Sequence, residues 1–428
     1  MTTTAAATAS LGDSLRASYL AVRSFTDQIA EPLSAEDCTV QSMDDASPTK
    51  WHLAHTTWFF ETFILRTQSD YREFDSEFNF LFNSYYNSIG RQYPRSRRGL
   101  ISRPGMQQVK DYRDHVDREL SKRLECDEFA TEAAELLQVG INHEQQHQEL
   151  MLTDAKHMLS CNPTWPTYRD DPFDSAATPS DANRWIEVPA GMYTIGHGGD
   201  GFAYDNESPR HSAHLHATSI ATTLVTNGEY LEFIEDGGYK RPEFWLSMGW
   251  ATAEQNDWNA PLYWHQRDGR WHQFTLAGLV PVEAAWPVTH VSYFEADAFA
   301  RWAGKRLPTE FQWEAACQII AKSSDTSLEQ EPFADVLMQQ NKCIHPTRSP
   351  DGLMGAAWQW TSSSYAGYPG YCPPAGAVGE YNGKFMCNQY VLRGGSVATS
   401  SNHIRDTYRN FFPPEARWQF TTIRLADD

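Results

Sequence analysis

Long apolar runs are missing from this 428-residue chain. No stretch reaches the ~20 consecutive apolar residues that a membrane-spanning helix requires, so no helical membrane span is expected. Basic charge is also short. Thirty-five Lys and Arg stand against 55 Asp and Glu, a formal net charge of −20, and such a field repels nucleic acid and anionic lipid. Neither nucleic acid nor a membrane is therefore expected as a partner. Cysteine is sparse: the seven residues Cys38, Cys126, Cys161, Cys317, Cys343, Cys372 and Cys387 are odd in number and form no Cys-x-x-Cys pair. That pattern reads as reduced thiols of a cytoplasmic protein, mostly small buried side chains. The opening MTTTAAATASLGDSLRASYL has no basic segment followed by an apolar one, so it does not read as a secretory leader. Aromatics are not lacking, at 13%, and hydrophobic residues make up 41%, enough for packed interiors and too much for a disordered chain.

The chain changes character part way along. Up to about residue 160 it is rich in Leu, Ala, Glu, Gln and Arg, with apolar residues recurring at three and four, the period of amphipathic helices. Candidate helices run from Leu11 to Ile29, Thr49 to Leu65, Gln107 to Leu124 and Ala130 to Leu159, which makes a four-helix bundle. A Pro-, Asp-, Ser- and Thr-rich stretch without period then reads as a linker. Beyond it glycine, tryptophan and short turn-bounded segments predict a mixed domain of short strands, two or so helices and long loops. The expected divisions are 1–165, a linker at 166–184, and 185–428, an α+β protein.

The segment NHEQQHQEL spells His-Glu-x-x-His at His143, Glu144 and His147. Four residues apart on a helix, the two imidazoles share a face and can ligate one ion. Leu136 and Leu150 extend that face as an apolar, inward stripe. In WHLAHTTWFF, the helical spacing of Trp51, His55, Trp58 and Leu65 puts His55 among buried aromatics and offers a third imidazole. His52, a third of a turn away, is the less favoured ligand. Three imidazoles suit zinc, copper, iron or nickel and leave open positions for other ligands. Read as a zinc hydrolase, the chain would use Glu144 as general base. Yet HQELMLTDAKHMLS carries no Gly and third His where a metzincin needs them.

Two sets of segments carry a resemblance. SPTKWHLAHTTWFFE and INHEQQHQELML resemble the DinB-like bundle of the sulfoxide synthases of ergothioneine biosynthesis, the hercynine oxygenases. PVTHVSYFEADAFARWAGKRLPTEFQWEAA, MGAAWQWTSSSY, YVLRGGS and TTIRLA look like the formylglycine-generating-enzyme domain, a variant of the C-type-lectin fold. Both in this order cover nearly the whole chain. The resemblance implies a non-haem iron(II) oxygenase with O2 as co-substrate. Its reaction couples the sulfur of a thiol, cysteine or gamma-glutamylcysteine, to hercynine (N-alpha-trimethylhistidine) at the imidazole carbon between the ring nitrogens, with sulfoxide formation. It also implies His55, His143 and His147 as the iron ligands. A formylglycine-generating enzyme would need a cysteine pair near VATSSNHIRDTYRN, which has none, so that relative's copper chemistry is not expected.

The loop NSYYNSIGRQYPRSRRG clusters Arg91, Arg95, Arg97 and Arg98 in an acidic protein, and guanidinium groups grip carboxylates bidentately. The resemblance singles out two arginines three apart as the thiol substrate's carboxylate site, which Arg95 and Arg98 match. It also implies a tyrosine that gives a proton to reduced oxygen. Tyr85 and Tyr86 are the candidates, since a phenol stays neutral at pH 7. A quaternary ammonium needs ring faces, and YRNFFPPEARW supplies Tyr408, Phe411, Phe412 and Trp418. By resemblance Asn410, Phe411 and Gln146 contact hercynine. Phe412 stands where some relatives that use gamma-glutamylcysteine carry an acid, which points to free cysteine.

Overall fold

The computed structural model describes residues 10–173, 185–199, 201–322, 332–348 and 352–428. It divides into two compact units, residues 1–158 and 159–428. Residues 174–184, most of the expected linker, lie outside the described residues. Residues 166–173 are within the second unit, where Tyr168 N–H donates to Leu276 O at 2.9 Å and Pro172 O accepts from Cys343 N–H at 3.0 Å.

Helices build the first unit: α1 (Leu11–Ala30), α2 (Thr49–Phe63), a short α3 (Phe78–Phe82), α4 (Met106–Arg123) and α5 (Asp127–Ser160). Two of the starts have a local cause. Ser10 caps α1 by accepting the Asp13 N–H, and Pro48 precedes α2, where its fixed φ costs the helix nothing. The expected second helix ran to Leu65, but α2 stops at Phe63 and a 3-10 turn covers Leu65–Thr67. Nearly all of α2 is buried, polar residues included. It is the central helix, and its residues face neighbours on every side.

Charge at the centre ties the helices together. Arg23 on α1 donates to Glu144 on α5 at 3.0 Å and to Thr57 on α2 at 2.9 Å. Arg113 on α4 reaches the other Glu144 oxygen at 3.4 Å, and Arg23 Nε also meets Asp117 on α4 at 2.8 Å. All four long helices thus meet at one buried network. Such a network is favourable only when every member is paired, and breaking it strands a buried charge. Close approach is set by glycine: a Cβ at Gly140 on α5 would lie 2.4 Å from the Phe60 ring of α2.

Short strands dominate the second unit, as expected. Two three-stranded sheets, a two-stranded hairpin and a four-stranded sheet are present among the described residues. In the four-stranded sheet Tyr390–Arg393 pairs antiparallel with both Asn410–Phe412 and Trp358–Ser364, and Thr421–Thr422 adds in parallel. Helices are more numerous than the two expected: Asn227–Glu235, Ser247–Gln255, Tyr293–Trp302, Glu310–Lys322 and Ala334–Gln339. Their spacing was hidden because all but Glu310–Lys322 are short and lie among loops. The core again carries charge. Arg393 donates to Glu310 and Glu314, both at 3.0 Å, and Arg409 donates to Glu310 at 2.8 Å. The cysteines correct one expectation: Cys38, Cys317 and Cys343 are buried, but Cys126, Cys161, Cys372 and Cys387 are exposed, so most are not core packing residues.

Candidate metal centre

His55 on α2 meets His143 and His147 on α5 in the buried interior of the first unit. One ring nitrogen from each lies within 4.8 Å of the others. The i, i+4 spacing brings the α5 pair to a ring separation of 4.6 Å, and His55 stands 5.0 Å from His143 and 4.8 Å from His147. Burial drives all three imidazoles toward the neutral form, with His143 pushed down to about 3. Neutral imidazoles are the ligating form.

The hydrogen bonds behind the rings decide which nitrogen faces inward. His55 Nδ1 lies 2.6 Å from the carbonyl of Phe82, which can only accept, so Nδ1 carries the proton. His55 Nε2 is then a lone pair, buried and without a hydrogen-bond partner. An orphaned acceptor of this kind fits a cation. Trp51 stacks on one side of His55 at 4.5 Å and Trp58 on the other at 5.6 Å, holding the ring plane. His147 Nδ1 lies 2.7 Å from His52 Nδ1, and His52 Nε2 lies 3.1 Å from Asp154. His52, weighed from sequence as the lesser ligand, has both ring nitrogens engaged in these two contacts. Leu136 and Leu150, the expected apolar stripe, are only half-buried.

Glu144 faces the other way. Its carboxylate is fully buried and bound by Arg23 and Arg113. Burial alone would raise its pKa, but the two guanidinium groups override this and hold it below the usual value. A carboxylate so occupied cannot serve as the general base of a zinc hydrolase.

Two of the loop residues join this interior. Tyr86 is fully buried and packs on Trp58 at 5.6 Å and Phe59 at 6.3 Å, and Phe59 in turn contacts His143 at 4.7 Å. Tyr85 stacks on Tyr86 at 4.8 Å, and burial holds its phenol protonated well above the usual value. Arg98 is buried, with its guanidinium 3.3 Å from the centre of the Trp51 ring. It donates to the hydroxyls of Ser47 at 2.9 Å and Ser84 at 3.2 Å. No described carboxylate forms an ion pair with it, and burial, then Arg95, weighs against its charge. Arg95 lies one 3-10 turn away on Arg95–Leu100, exposed and bonded to Asp45 O. Gln146, also on α5, is half-buried.

Asn410, Phe411 and Phe412 are carried by the second unit, on a strand of its four-stranded sheet. Phe411 stacks on Tyr365 at 4.0 Å and Phe385 at 6.0 Å. Phe412 meets Trp418 edge-on at 5.8 Å. Tyr408, named from sequence with them, is buried and engaged with His403 at 3.2 Å. Sequence reasoning missed Asp154 and Ser47 and did not foresee the contact of His52 with His147. Only WH-LAH, two histidines one turn apart, hinted at them.

Comparison with known proteins agrees with this division. Residues 19–151 match the model of the DinB superfamily, and 172–335 with 351–428 match that of the sulfatase-modifying factor enzyme 1-like domain. The hercynine oxygenase of Mycolicibacterium smegmatis is 33% identical over 308 residues, 67% of this chain and 70% of that protein. Its counterpart in Mycolicibacterium thermoresistibile is 31% identical, covering 67% of this chain and 68% of that one. The hercynine oxygenase of Mycobacterium tuberculosis is 35% identical over 240 residues, which span 56% of its length. The chain belongs to the hercynine oxygenase family, an oxygenase made of a DinB-like helical bundle followed by a formylglycine-generating-enzyme-like domain.

Proposed function

We propose that this chain is a non-haem iron(II) oxygenase of ergothioneine biosynthesis. It joins the sulfur of cysteine, or of gamma-glutamylcysteine, to the imidazole carbon of hercynine and oxidises the sulfur to a sulfoxide, with O2 as co-substrate. The observation that carries this reading is the buried set of three neutral imidazoles, with His55 Nε2 left as an orphaned lone pair. The relatives named hercynine oxygenase supply the substrate.

His55, His143 and His147 would hold the iron. Bound there, Fe(II) would supply a redox-active Lewis acid with open positions for the substrates and oxygen. The chain's other residues bind and orient. Arg98, stacked on Trp51 and paired only with hydroxyls, receives the carboxylate of the thiol substrate, with exposed Arg95 as its second contact. Tyr86 and Tyr85 each keep a phenolic proton available for reduced oxygen, Tyr86 being the one packed against the aromatic wall of the histidines. The resemblance assigns a hercynine contact to Gln146 in the first unit and, separately, to Asn410, Phe411 and Phe412 in the second, where the ring faces suit a trimethylammonium group. Phe412 in place of an acid favours free cysteine over the glutamyl thiol.

Oxygen uptake by the iron-loaded protein tests this. Uptake should require Fe(II), hercynine and a thiol together, and mass analysis should find a hercynine–cysteine sulfoxide. Equal uptake with the thiol alone would overturn the reading.

A further inference from the structure

We propose that His52 and Asp154 are positioning residues, a carboxylate–imidazole relay that fixes the tautomer of His147 and strengthens it as a metal ligand. This rests on the metal-site reading above and deepens it. α2 carries His55 and the backing His52, and α5 carries His143, His147 and the backing Asp154. On α2 His52 precedes His55 by one turn, and on α5 Asp154 follows His147 by two.

Proton bookkeeping along the line leaves one arrangement. The Asp154 carboxylate can only accept, so His52 Nε2, 3.1 Å away, carries a proton and donates it. In a neutral His52 imidazole Nδ1 is then an acceptor, and it lies 2.7 Å from His147 Nδ1. His147 Nδ1 must therefore be the donor, which leaves Nε2 as its lone pair, the same choice the Phe82 carbonyl forces on His55. Asp154 is itself anchored, since its Oδ2 accepts the Ser47 N–H at 2.8 Å. Every member is buried: His52 is 2%, Asp154 5% and His147 8% exposed. A buried carboxylate is costly unless it is used, and with both ring nitrogens engaged His52 has none to offer a metal. The ligands are thereby unequal. A neutral carbonyl backs His55, whereas an anion backs His147 through one imidazole, and anionic backing raises ligand basicity.

Cobalt(II) titration of the metal-free full-length protein, followed by visible absorption, tests the relay without reference to turnover. Wild type should bind Co(II). His52→Phe should weaken binding about 10–100-fold, the usual cost of losing a partner behind a ligand. His52→Gln should recover most of that loss, because its amide oxygen can accept the His147 proton. Asp154→Asn keeps an acceptor but not the charge, so it should bind with intermediate affinity and a shifted absorption band. Far-UV circular dichroism checks folding, and if His52→Phe does not fold, the Gln and Asn variants decide. Wild type that binds Co(II) while the folded variants bind it equally, with unchanged bands, would overturn the relay and leave the metal site standing. Wild type that binds no Co(II) would overturn both.

Discussion

Arg98 shows how much a single side chain depends on its setting. Arg98 is buried over Trp51 and donates to serine hydroxyls, and on the proposed reading a charge-assisted bond from it to the thiol substrate's carboxylate is worth about 1.5–3 kcal/mol. Arg98→Ala should therefore raise KM for the thiol roughly 10–100-fold and leave KM for hercynine unchanged, as steady-state kinetics with each substrate varied would show. Glu144 differs in kind. Glu144→Gln leaves Arg23 and Arg113 without their buried counter-charge, a loss of about 3–5 kcal/mol, visible as a lower denaturation midpoint. An unchanged midpoint with abolished activity would instead restore Glu144 as a catalytic base. The histidine cluster was legible in the sequence because helical spacing alone puts His143 and His147 on one face. His52 was legible only as a competitor. Its role depends on where its ring meets side chains about a hundred residues away, which no local pattern encodes.

Between elements, the site depends on how closely α2 and α5 approach. Gly140 lies one turn before His143, and the Phe60 ring occupies the space its Cβ would need. Gly140→Ala gains helix propensity of up to about 1 kcal/mol but overpacks the crossing at a typical cost of 1–3 kcal/mol. Net destabilisation is expected, together with weaker metal binding as His55 is pushed from the α5 pair. A denaturation curve and a Co(II) titration measure the two. The four long helices were readable because their amphipathic period persists over many residues, and only their ends shifted. The 3-10 turns and α3 were not, since three to six residues carry no period. In the second unit the strand–turn texture was clear, but its helices are short and its core is held by Arg393, Arg409, Glu310 and Glu314, residues that sequence patterns place on a surface.

For the molecule as a whole, buried imidazoles set an acid limit. His157 in the first unit and His403 in the second are held below the usual histidine value, by burial in both and by Arg405 beside His403. Their unfolded pKa is near 6.5. Below it the unfolded chain takes up protons that the folded one refuses, so stability falls as pH drops through that value and is flat above it. The buried His403 contributes about 1.4 kcal/mol per pH unit. Urea midpoints at pH 8.5, 7.5 and 5.5 should hold between the first two and fall at the third.

The most direct test of the account is oxygen consumption by the iron-loaded protein with hercynine and cysteine supplied singly and together, followed by mass analysis of the product. The account predicts uptake only when both are present, formation of the sulfoxide-linked conjugate, and loss of both with His143→Ala. Uptake independent of hercynine, or an unaltered rate in His143→Ala, would contradict it.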